Sequence, residues 1–335
     1  MQHLDLLIQT DGSFGADLDA DLGAARTPAM PSLHKLLRRG KACETPRGLC
    51  EAICVALGIH KQLDWPVAAL TAHAENWAED TLQADAYWLR LDPLHLDVGM
   101  RGMFARSMVL SETEASEFNQ VLASILQPLF AERGLHFELQ FIAGQQGAYV
   151  QLQDTPDLRT TPLDELDGRQ PTAFLPTGAD AKTWLWLLNE VQIGLHTHPF
   201  NDSRISRGLL PINGVWVWGG GDSGGDVQAV SPAIKVIYSS NTNQATWLGS
   251  LAKASGLESH TAPDDLNTLI NSRYSHAMAV IDARQTQPSV LEANWFAPLL
   301  RALYWGQLRS VKLTLLHDDA QAVSLTPQQA WRFWK

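Results

Sequence analysis

The sequence predicts an α/β fold in which a mostly parallel β-sheet is interrupted by an inserted α+β domain. Short apolar stretches alternate with helical patterns near both ends of the chain, as in sheets that helices cover on both faces. Between them, the predicted elements follow the order β-α-β-β-α-β, which is that of a ferredoxin-like domain. The 335 residues are also enough for two domains. We therefore predict a discontinuous core domain, residues 1–85 plus 226–335, and an inserted domain, residues 86–225.

The N-terminal segment predicts one strand and two helices. Residues 3–10, HLDLLIQT, form an apolar run closed by an Asp-Gly turn, as expected of a buried strand. A Thr-Pro pair at 27–28 and Gly40 predict the start and the end of the first helix. Residues 48–59, GLCEAICVALGI, predict the second helix and place two cysteines on one of its faces.

The middle of the chain supplies the elements of the inserted domain. Runs rich in apolar residues predict strands at 86–96, 136–143, 148–153 and 213–219. Helical periodicity predicts helices at 111–130 and 179–198, and a Ser-Glu-Thr-Glu capping box opens the first of them. The glycine-rich stretch 219–225 lacks the Gly-Lys-Ser/Thr ending of a phosphate-binding loop, so we interpret it as a hinge.

The alternation of strands and helices returns after this stretch. Apolar, β-branched segments predict strands at 233–240, 276–283 and 310–319, with helices at 243–256 and 294–308. Together with the N-terminal strand, these segments fit a parallel sheet that is buried on both faces.

The composition indicates a soluble, cytoplasmic protein. Its hydrophobic fraction of 45% and charged fraction of 18% are ordinary for a globular chain. A net charge of −11 disfavours nonspecific binding to nucleic acid or to an anionic membrane, so we expect neither as a partner. The 3 cysteines are an odd number, and the N-terminal residues do not resemble a signal peptide, which favours a reducing compartment.

Residues 195–221, LHTHPFNDSRISRGLLPINGVWVWGGG, carry the densest chemistry in the chain. The guanidinium groups of Arg204 and Arg207 and the imidazole of His198 lie within ten residues and can hold a phosphate or a carboxylate through charge-assisted hydrogen bonds. The predicted ligand-binding residues are His198, Asn201, Arg204, Arg207 and Asn213.

A structural role is the alternative for several of these residues. His198 can organise the turn before Pro199, while Asn201 and Asn213 can fix the backbone of a long turn. His196 and His198 also form a His-x-His pair, but two imidazoles without a third ligand are a weak indication of zinc. We therefore expect His196 to cap helix carbonyls.

The same stretch carries a family resemblance. It is similar to the His-Pro-x-Asn-x-x-Arg-x-x-x-Gly-x-x-Pro-x-Asn segment, followed by a strand and Gly-x-Gly, of archaeal-type cofactor-independent phosphoglycerate mutases. The opening strand with its Asp-Gly turn and ARTPAMPSLHKLLRRG resemble the start of alkaline-phosphatase superfamily proteins. The motif also resembles a bacterial subgroup labelled regulatory (RpfE-like). The matching residues are His198, Pro199, Asn201, Arg204, Gly208, Pro211, Asn213, Gly219 and Gly221.

The resemblance implies an alkaline-phosphatase-like core with an inserted domain that binds substrate. In such mutases, Asp and His side chains at the carboxyl ends of the sheet strands hold two manganese or magnesium ions. A serine takes up the phosphoryl group and returns it, activated by the metals. By position, Asp11, Asp318 and Asp319 are the candidate metal ligands in this chain.

The chain departs from the family pattern at the nucleophile and at several ligands. The segment that should contain the serine reads RGLCEAICVALGI, so Cys50 is the candidate nucleophile, and a buried structural thiol is the alternative. The segment after residues 276–283 offers Glu292 but no histidine. These departures predict that the two-metal centre is absent and that no cofactor is bound.

Three hypotheses about function remain. The first is a non-catalytic, regulatory relative of the mutases that binds a small phosphorylated or carboxylate ligand or a protein partner. The second is an active phosphoglycerate mutase or phosphatase that uses manganese or magnesium. The third is a protein–protein scaffold with exposed tryptophans, although most of the 12 tryptophans are expected to pack inside the domains.

Overall fold

The chain divides into two compact units. The computed structural model describes residues 1–10, 30–75, 86–100, 102–132, 139–143, 147–222, 233–240, 245–317 and 320–331. Unit 1 comprises Met1–Leu57, Ser231–Ala245 and Gly256–Lys335, and unit 2 comprises Gly58–Val230 and Thr246–Ser255.

The secondary structure alternates between the two types along most of the chain. The strands are β1 (His3–Gln9), β2 (Lys41–Ala42), β3 (Tyr87–Gly99), β4 (Gly102–Ser107), β5 (Leu139–Ala143), β6 (Ala148–Leu152), β7 (Gly214–Asp222), β8 (Val236–Ser239), β9 (Glu258–Thr261), β10 (His276–Asp282), β11 (Ser310–Leu316) and β12 (Gln321–Leu325). The helices are α1 (Pro31–Arg39), α2 (Leu49–Leu57), α3 (Val67–Ala74), α4 (Glu112–Glu132), α5 (Leu163–Leu166), α6 (Ala181–His196), α7 (Pro199–Ser206), α8 (Ala245–Ala254), α9 (Leu266–Ile270), α10 (Pro288–Leu291), α11 (Ala297–Tyr304) and α12 (Pro327–Ala330). A 3₁₀ turn spans Pro171–Ala173, and a π-helical turn, Glu292–Phe296, joins α10 to α11.

Unit 1 is built on a sheet with the strand order β2-β12-β11-β1-β10-β8-β9. The strands from β11 to β9 are parallel, whereas β12 and β2 pair antiparallel at one side. Alternate residues of β1 (Leu4, Leu6 and Ile8) are buried in one cluster with Leu33 of α1 and Leu299 of α11. The prediction of an α/β fold with a mostly parallel sheet is confirmed.

Unit 2 contains the ferredoxin-like arrangement. β7, β3, β6 and β5 lie side by side in that order, and every neighbouring pair is antiparallel. One face of this sheet packs against α4 and α6, where Leu89 and Val150 share a core cluster with Phe118 and Leu187. The other face packs against alanines of α3, close to Trp88 and Tyr149. The sequence prediction missed β4, which extends the sheet beside the far end of β3.

The start of α1 differs from the prediction. The helix begins at Pro31, and the Thr-Pro pair expected to start it, at 27–28, lies outside the described residues. Glu292 caps the helix instead, because its carboxylate accepts hydrogen bonds from the backbone N–H groups of Ser32 and Leu33 at 2.8 and 3.4 Å. A cap from so far along the chain has no local sequence signature.

The hinge interpretation of the glycine-rich stretch is wrong for Gly219, Gly220 and Gly221, and residues 223–225 lie outside the described part of the chain. These glycines lie inside β7 and are buried. A Cβ on Gly219 would lie 3.2 Å from the backbone nitrogen of Ala68, and one on Gly221 would lie 2.5 Å from Cβ of Pro66. These glycines therefore allow β7 to pack closely against residues 66–68.

The observed units differ from the predicted domain boundaries. Residues 58–75 group with unit 2 because α3 packs on the back of its sheet. Residues 246–255 do so as well, since Trp247 of α8 meets Trp218 edge-on with ring centroids 5.7 Å apart. Among the helices that the structure describes, none combines the length and apolar character that a bilayer crossing needs.

Candidate functional site

The motif around His198 forms a helix that the sequence analysis did not predict. His198 is the N-cap of α7, its Nδ1 accepts a hydrogen bond from the backbone N–H of Phe200 at 3.2 Å, and Pro199 occupies the first turn. This arrangement supports the interpretation that His198 organises the turn. The signal was present in the sequence, because a polar residue followed by proline is a typical helix start.

Asn201 joins both ends of the motif. Its side-chain amide donates to the carbonyl oxygens of Leu195 and Ile212, both at 2.8 Å, and its Oδ1 accepts from the backbone N–H of Ile212 at 2.8 Å. The side chain is buried, so these bonds satisfy backbone groups that water cannot reach. Asn201 therefore holds the end of α6 against the start of β7.

Asn213 makes a similar connection to β3. Its Oδ1 accepts from the backbone N–H of Leu96 at 2.6 Å, and its Nδ2 donates to the carbonyl oxygen of the same residue at 3.0 Å. The amide thus imitates one rung of a β-ladder. Both asparagines make the backbone contacts of the structural alternative, and their role in ligand binding stays a prediction.

Arg204 is a buried cation whose partner comes from α4. Its Nη1 donates to Oε1 of Glu114 at 2.8 Å and its Nε to the carbonyl oxygen of Leu210 at 2.9 Å, with only 4% of the side chain exposed. Glu114 also closes the predicted capping box with Ser111. Burial acts to raise the pKa of Glu114, but the hydrogen bonds from Ser111 and the two arginine charges outweigh it, so the pKa is lowered.

Arg207 is the guanidinium of the motif that solvent reaches. Its side chain is 54% exposed, and its Nη1 lies 3.3 Å from the Glu114 carboxylate. It follows α7 as the C-cap, and Gly208 comes next with a positive φ of 73°. Of the two arginines among the five predicted ligand-binding residues, Arg207 is therefore the one whose charge is accessible to solvent.

The carboxyl ends of the parallel strands in unit 1 form the second candidate site. β1 lies between β10 and β11, with Gln9 opposite both Asp282 and Leu316. Ligands of open α/β sheets bind at this edge, outside the carboxyl ends of the strands. Thr10 extends β1 there, and its hydroxyl is buried with no hydrogen-bond partner among the described residues.

The carboxylate of Asp282, at the end of β10, forms an ion pair with an arginine. Arg284 donates from Nε to Oδ1 at 3.0 Å and from Nη2 to Oδ2 at 2.7 Å, which is a bidentate pair. The backbone N–H of Asp282 donates to the hydroxyl of Ser240 at 2.7 Å, which connects β10 to the end of β8. The sequence analysis did not identify Asp282 or Arg284.

The predicted metal ligands Asp11, Asp318 and Asp319 lie outside the described residues. Within the described part of the chain, no three His, Cys, Asp or Glu side chains are placed to hold a metal ion together. Two divalent cations require several carboxylate or imidazole donors, whereas the described ends of β10 and β11 offer His317 and Asp282, and Asp282 is already paired with a guanidinium. The described residues therefore do not fit the two-metal centre that the resemblance implies.

The candidate nucleophile Cys50 lies in the first turn of α2 and has no solvent exposure. Cys54, one turn later, is equally buried. A thiol in this position packs as a small apolar side chain. The geometry favours the structural alternative for Cys50.

A buried polar network in unit 2 was missed by the sequence analysis. Arg90 is 1% exposed, and its Nε donates to both oxygens of Asp92 at 2.9 and 2.8 Å. Its Nη1 donates to the hydroxyl of Tyr149 at 2.7 Å and lies 3.6 Å from Glu75. The signal was the pair of charges two residues apart inside the apolar strand YWLRLDPL, which places both on one face.

Comparison with known proteins relates the chain to one kind of enzyme. No protein-family model matches the chain. A 2,3-bisphosphoglycerate-independent phosphoglycerate mutase of Methanosarcina acetivorans is 27% identical over 207 residues, which are 60% of this chain and 49% of that protein. The enzyme of that name from Methanosarcina mazei is 26% identical over 209 residues, with the same coverage of 60% and 49%. The chain is similar to cofactor-independent phosphoglycerate mutases.

The similarity has clear bounds. The match spans about half the length of these relatives, at 49% for each. A solved cofactor-independent phosphoglycerate mutase from Thermoplasma acidophilum aligns with 97% of this chain and 90% of its own, at 14% identity and a TM-score of 0.42. The strand order and pairing, rather than this weak likeness, define the fold.

Proposed function

We propose that this phosphoglycerate-mutase-like chain binds a small phosphorylated or carboxylate ligand without turning it over and acts as a regulatory protein. The observation that carries the proposal is the Asp282–Arg284 pair at the carboxyl end of β10. In the mutases that the chain resembles, this edge holds the metal ions. A cation would have to displace a bidentate guanidinium from Asp282, which is costly for a partly buried pair.

The thiol of Cys50 supports the same proposal. Phosphoryl transfer through a covalent intermediate requires a nucleophile that the substrate can reach. Cys50 is the candidate nucleophile in its segment, and it is fully buried in α2. The odd cysteine count also favours a cytoplasmic setting for the proposed role.

The exposed guanidinium of Arg207 supports the binding part of the proposal. Arginine recognises phosphate and carboxylate groups through paired N–H donors. Glu114 holds Arg204 and Arg207 at one place, where Arg204 is buried and the side chain of Arg207 is 54% exposed. The motif therefore presents one guanidinium group to solvent in an acidic protein. A protein partner is the alternative ligand class.

The similarity to named mutases favours a second candidate, an active enzyme that uses manganese or magnesium with Asp11, Asp318 and Asp319. An activity assay separates the two functions. The purified chain is incubated with 3-phosphoglycerate and Mn²⁺, with the Methanosarcina acetivorans mutase as a positive control. We expect no formation of 2-phosphoglycerate. Turnover that Asp11→Asn abolishes would establish the enzyme instead.

Ligand binding is tested in the presence of EDTA. Isothermal calorimetry with 3-phosphoglycerate should detect binding that Arg207→Ala weakens by at least about tenfold, which corresponds to the loss of one charge-assisted hydrogen bond. Arg301→Ala, at an exposed position of α11, is the matched control and should bind as the unchanged protein does. Equal affinity of both variants, or no binding by the unchanged protein, would contradict the proposed role of the motif.

A further inference from the structure

Two histidines lie side by side at the amino ends of the central strands of unit 1. His3 of β1 and His276 of β10 are direct register partners. Both project from the face opposite to the buried Leu4, and their ring centroids are 5.5 Å apart with the planes inclined by 50°. This edge of the sheet is opposite to the one at which Asp282 and the carboxyl ends of the parallel strands lie.

Each imidazole already has one nitrogen bonded to an orienting group. Nε2 of His276 lies 2.8 Å from Oδ2 of Asp5, and Nδ1 of His3 lies 2.7 Å from Oγ of Ser310. A carboxylate only accepts, so the neutral tautomer of His276 that suits this contact has its proton on Nε2 and a lone pair on Nδ1. Neither Nδ1 of His276 nor Nε2 of His3 has a hydrogen-bond partner in the described part of the chain.

The separation of the rings suits a shared metal ion. Imidazole nitrogens bind zinc at about 2.0–2.1 Å, and at a tetrahedral angle this places two ring centroids roughly 5 Å apart. An imidazole bound to metal commonly donates its other N–H to a carboxylate, as His276 does to Asp5. The side chain of His276 is 21% exposed, so water can reach the pair and complete the coordination shell.

We propose that His3 and His276 bind one transition-metal ion of the Zn²⁺, Ni²⁺ or Cu²⁺ class, with Asp5 and Ser310 orienting the two rings. Imidazole donors favour these ions over Mg²⁺ or Mn²⁺, which prefer oxygen ligands. The site is separate from the candidate edge at Asp282 and does not depend on the proposed function. The β1–β10 pairing holds both backbones before the ion binds, so little order is lost on binding.

Titration with Cu²⁺, the strongest binder in the series, tests the site. Calorimetry in a non-chelating buffer should detect one site that His3→Ala and His276→Ala each weaken by at least tenfold. Asp5→Asn keeps both ligands and should weaken binding by about 10- to 100-fold, as expected for a group that orients a ligand. His196→Ala, at an exposed position of α6, is the matched control and should not change the affinity.

Two further measurements keep the result unambiguous. The paramagnetic resonance spectrum of the Cu²⁺-loaded, unsubstituted protein should show coupling to two nitrogens, which does not require any variant to fold. Asp11→Asn should leave the affinity unchanged, which separates this site from the carboxyl edge. Coupling to fewer than two nitrogens, or full affinity in His3→Ala and His276→Ala, would overturn the proposal.

Discussion

Arg90 shows how a charged residue becomes part of a protein interior. Its guanidinium bonds both oxygens of Asp92 and the hydroxyl of Tyr149, and that hydroxyl also donates to Glu75 at 2.8 Å. The indole of Trp218 donates to Asp92 as well. Each buried charge is thus met by several hydrogen bonds, which is the condition under which a buried ion pair persists.

Replacing Arg90 should be far more costly than replacing an exposed arginine. Arg90→Leu leaves Asp92 and Glu75 buried without a cation, so the free energy of unfolding should fall by about 3–5 kcal/mol. Arg106→Leu is the control, because Arg106 lies 3.6 Å from Asp97 with both side chains more than half exposed, at 59% and 52%. Its loss should be at most about 1 kcal/mol. Urea denaturation measures both, and similar losses would refute this account of the network.

The strand β7 shows how an element depends on residues without side chains. A Cβ on Gly220 would lie 2.2 Å from the hydroxyl oxygen of Tyr87 and 3.2 Å from Cδ2 of Leu89. That hydroxyl is buried and has no hydrogen-bond partner among the described residues. Burial and then the charges of Asp64 and Asp222 raise the pKa of Tyr87, so the phenol stays protonated. β7 can pair closely with β3 because residue 220 is glycine.

Gly220→Ala should therefore destabilise the protein by about 1–3 kcal/mol through overpacking. Tyr87→Phe removes the nearest clashing atom and, since the hydroxyl has no partner in the described structure, should change stability little by itself. The double variant should recover part of the loss. Gly249→Ala is the control, because nothing lies within 4 Å of its added Cβ in the helix α8. Thermal denaturation of the unsubstituted protein, the two single variants and the double variant measures the coupling, and strict additivity would contradict the clash.

At the scale of the whole molecule, the stability of the folded chain depends on pH through groups such as Glu114. Its pKa is lowered in the folded state, because the Ser111 hydrogen bonds and the charges of Arg204 and Arg207 outweigh burial. A carboxyl group with a lowered pKa contributes stability above its unfolded value of about 4.3. That contribution is lost as the pH falls through the folded pKa.

Glu114→Gln should flatten this acid limb of the stability curve. The variant should also be about 3 kcal/mol less stable at pH 7, because Arg204 keeps its buried charge without a carboxylate partner. Urea denaturation between pH 3 and pH 7 gives both quantities, with Glu117→Gln at an exposed position of α4 as the control. An unchanged pH dependence in Glu114→Gln would show that Glu114 does not supply this contribution.

The sequence by itself determined the order of the main elements. The apolar run that became β1 and the capping box at Ser111 are local patterns, so the α/β class, the parallel sheet and the ferredoxin-like order were predictable. The strands β2 and β9 have no buried side chain and therefore no apolar pattern, and they were missed together with β4 and β12. The candidate site was predictable only in part, because Arg207 is recognisable by type while the Arg204–Glu114 pair is not.

Tertiary structure decided what the charged residues distant in sequence do. Glu292 caps a helix from which 260 residues separate it, and Arg284 pairs with Asp282 at a strand end. His3 meets His276 because two strands distant in sequence are neighbours in the sheet. Local propensity acts over a few residues, whereas burial and ion pairing depend on which surfaces meet after the chain has folded. The sequence therefore specified the elements, and their packing assigned the roles of the side chains.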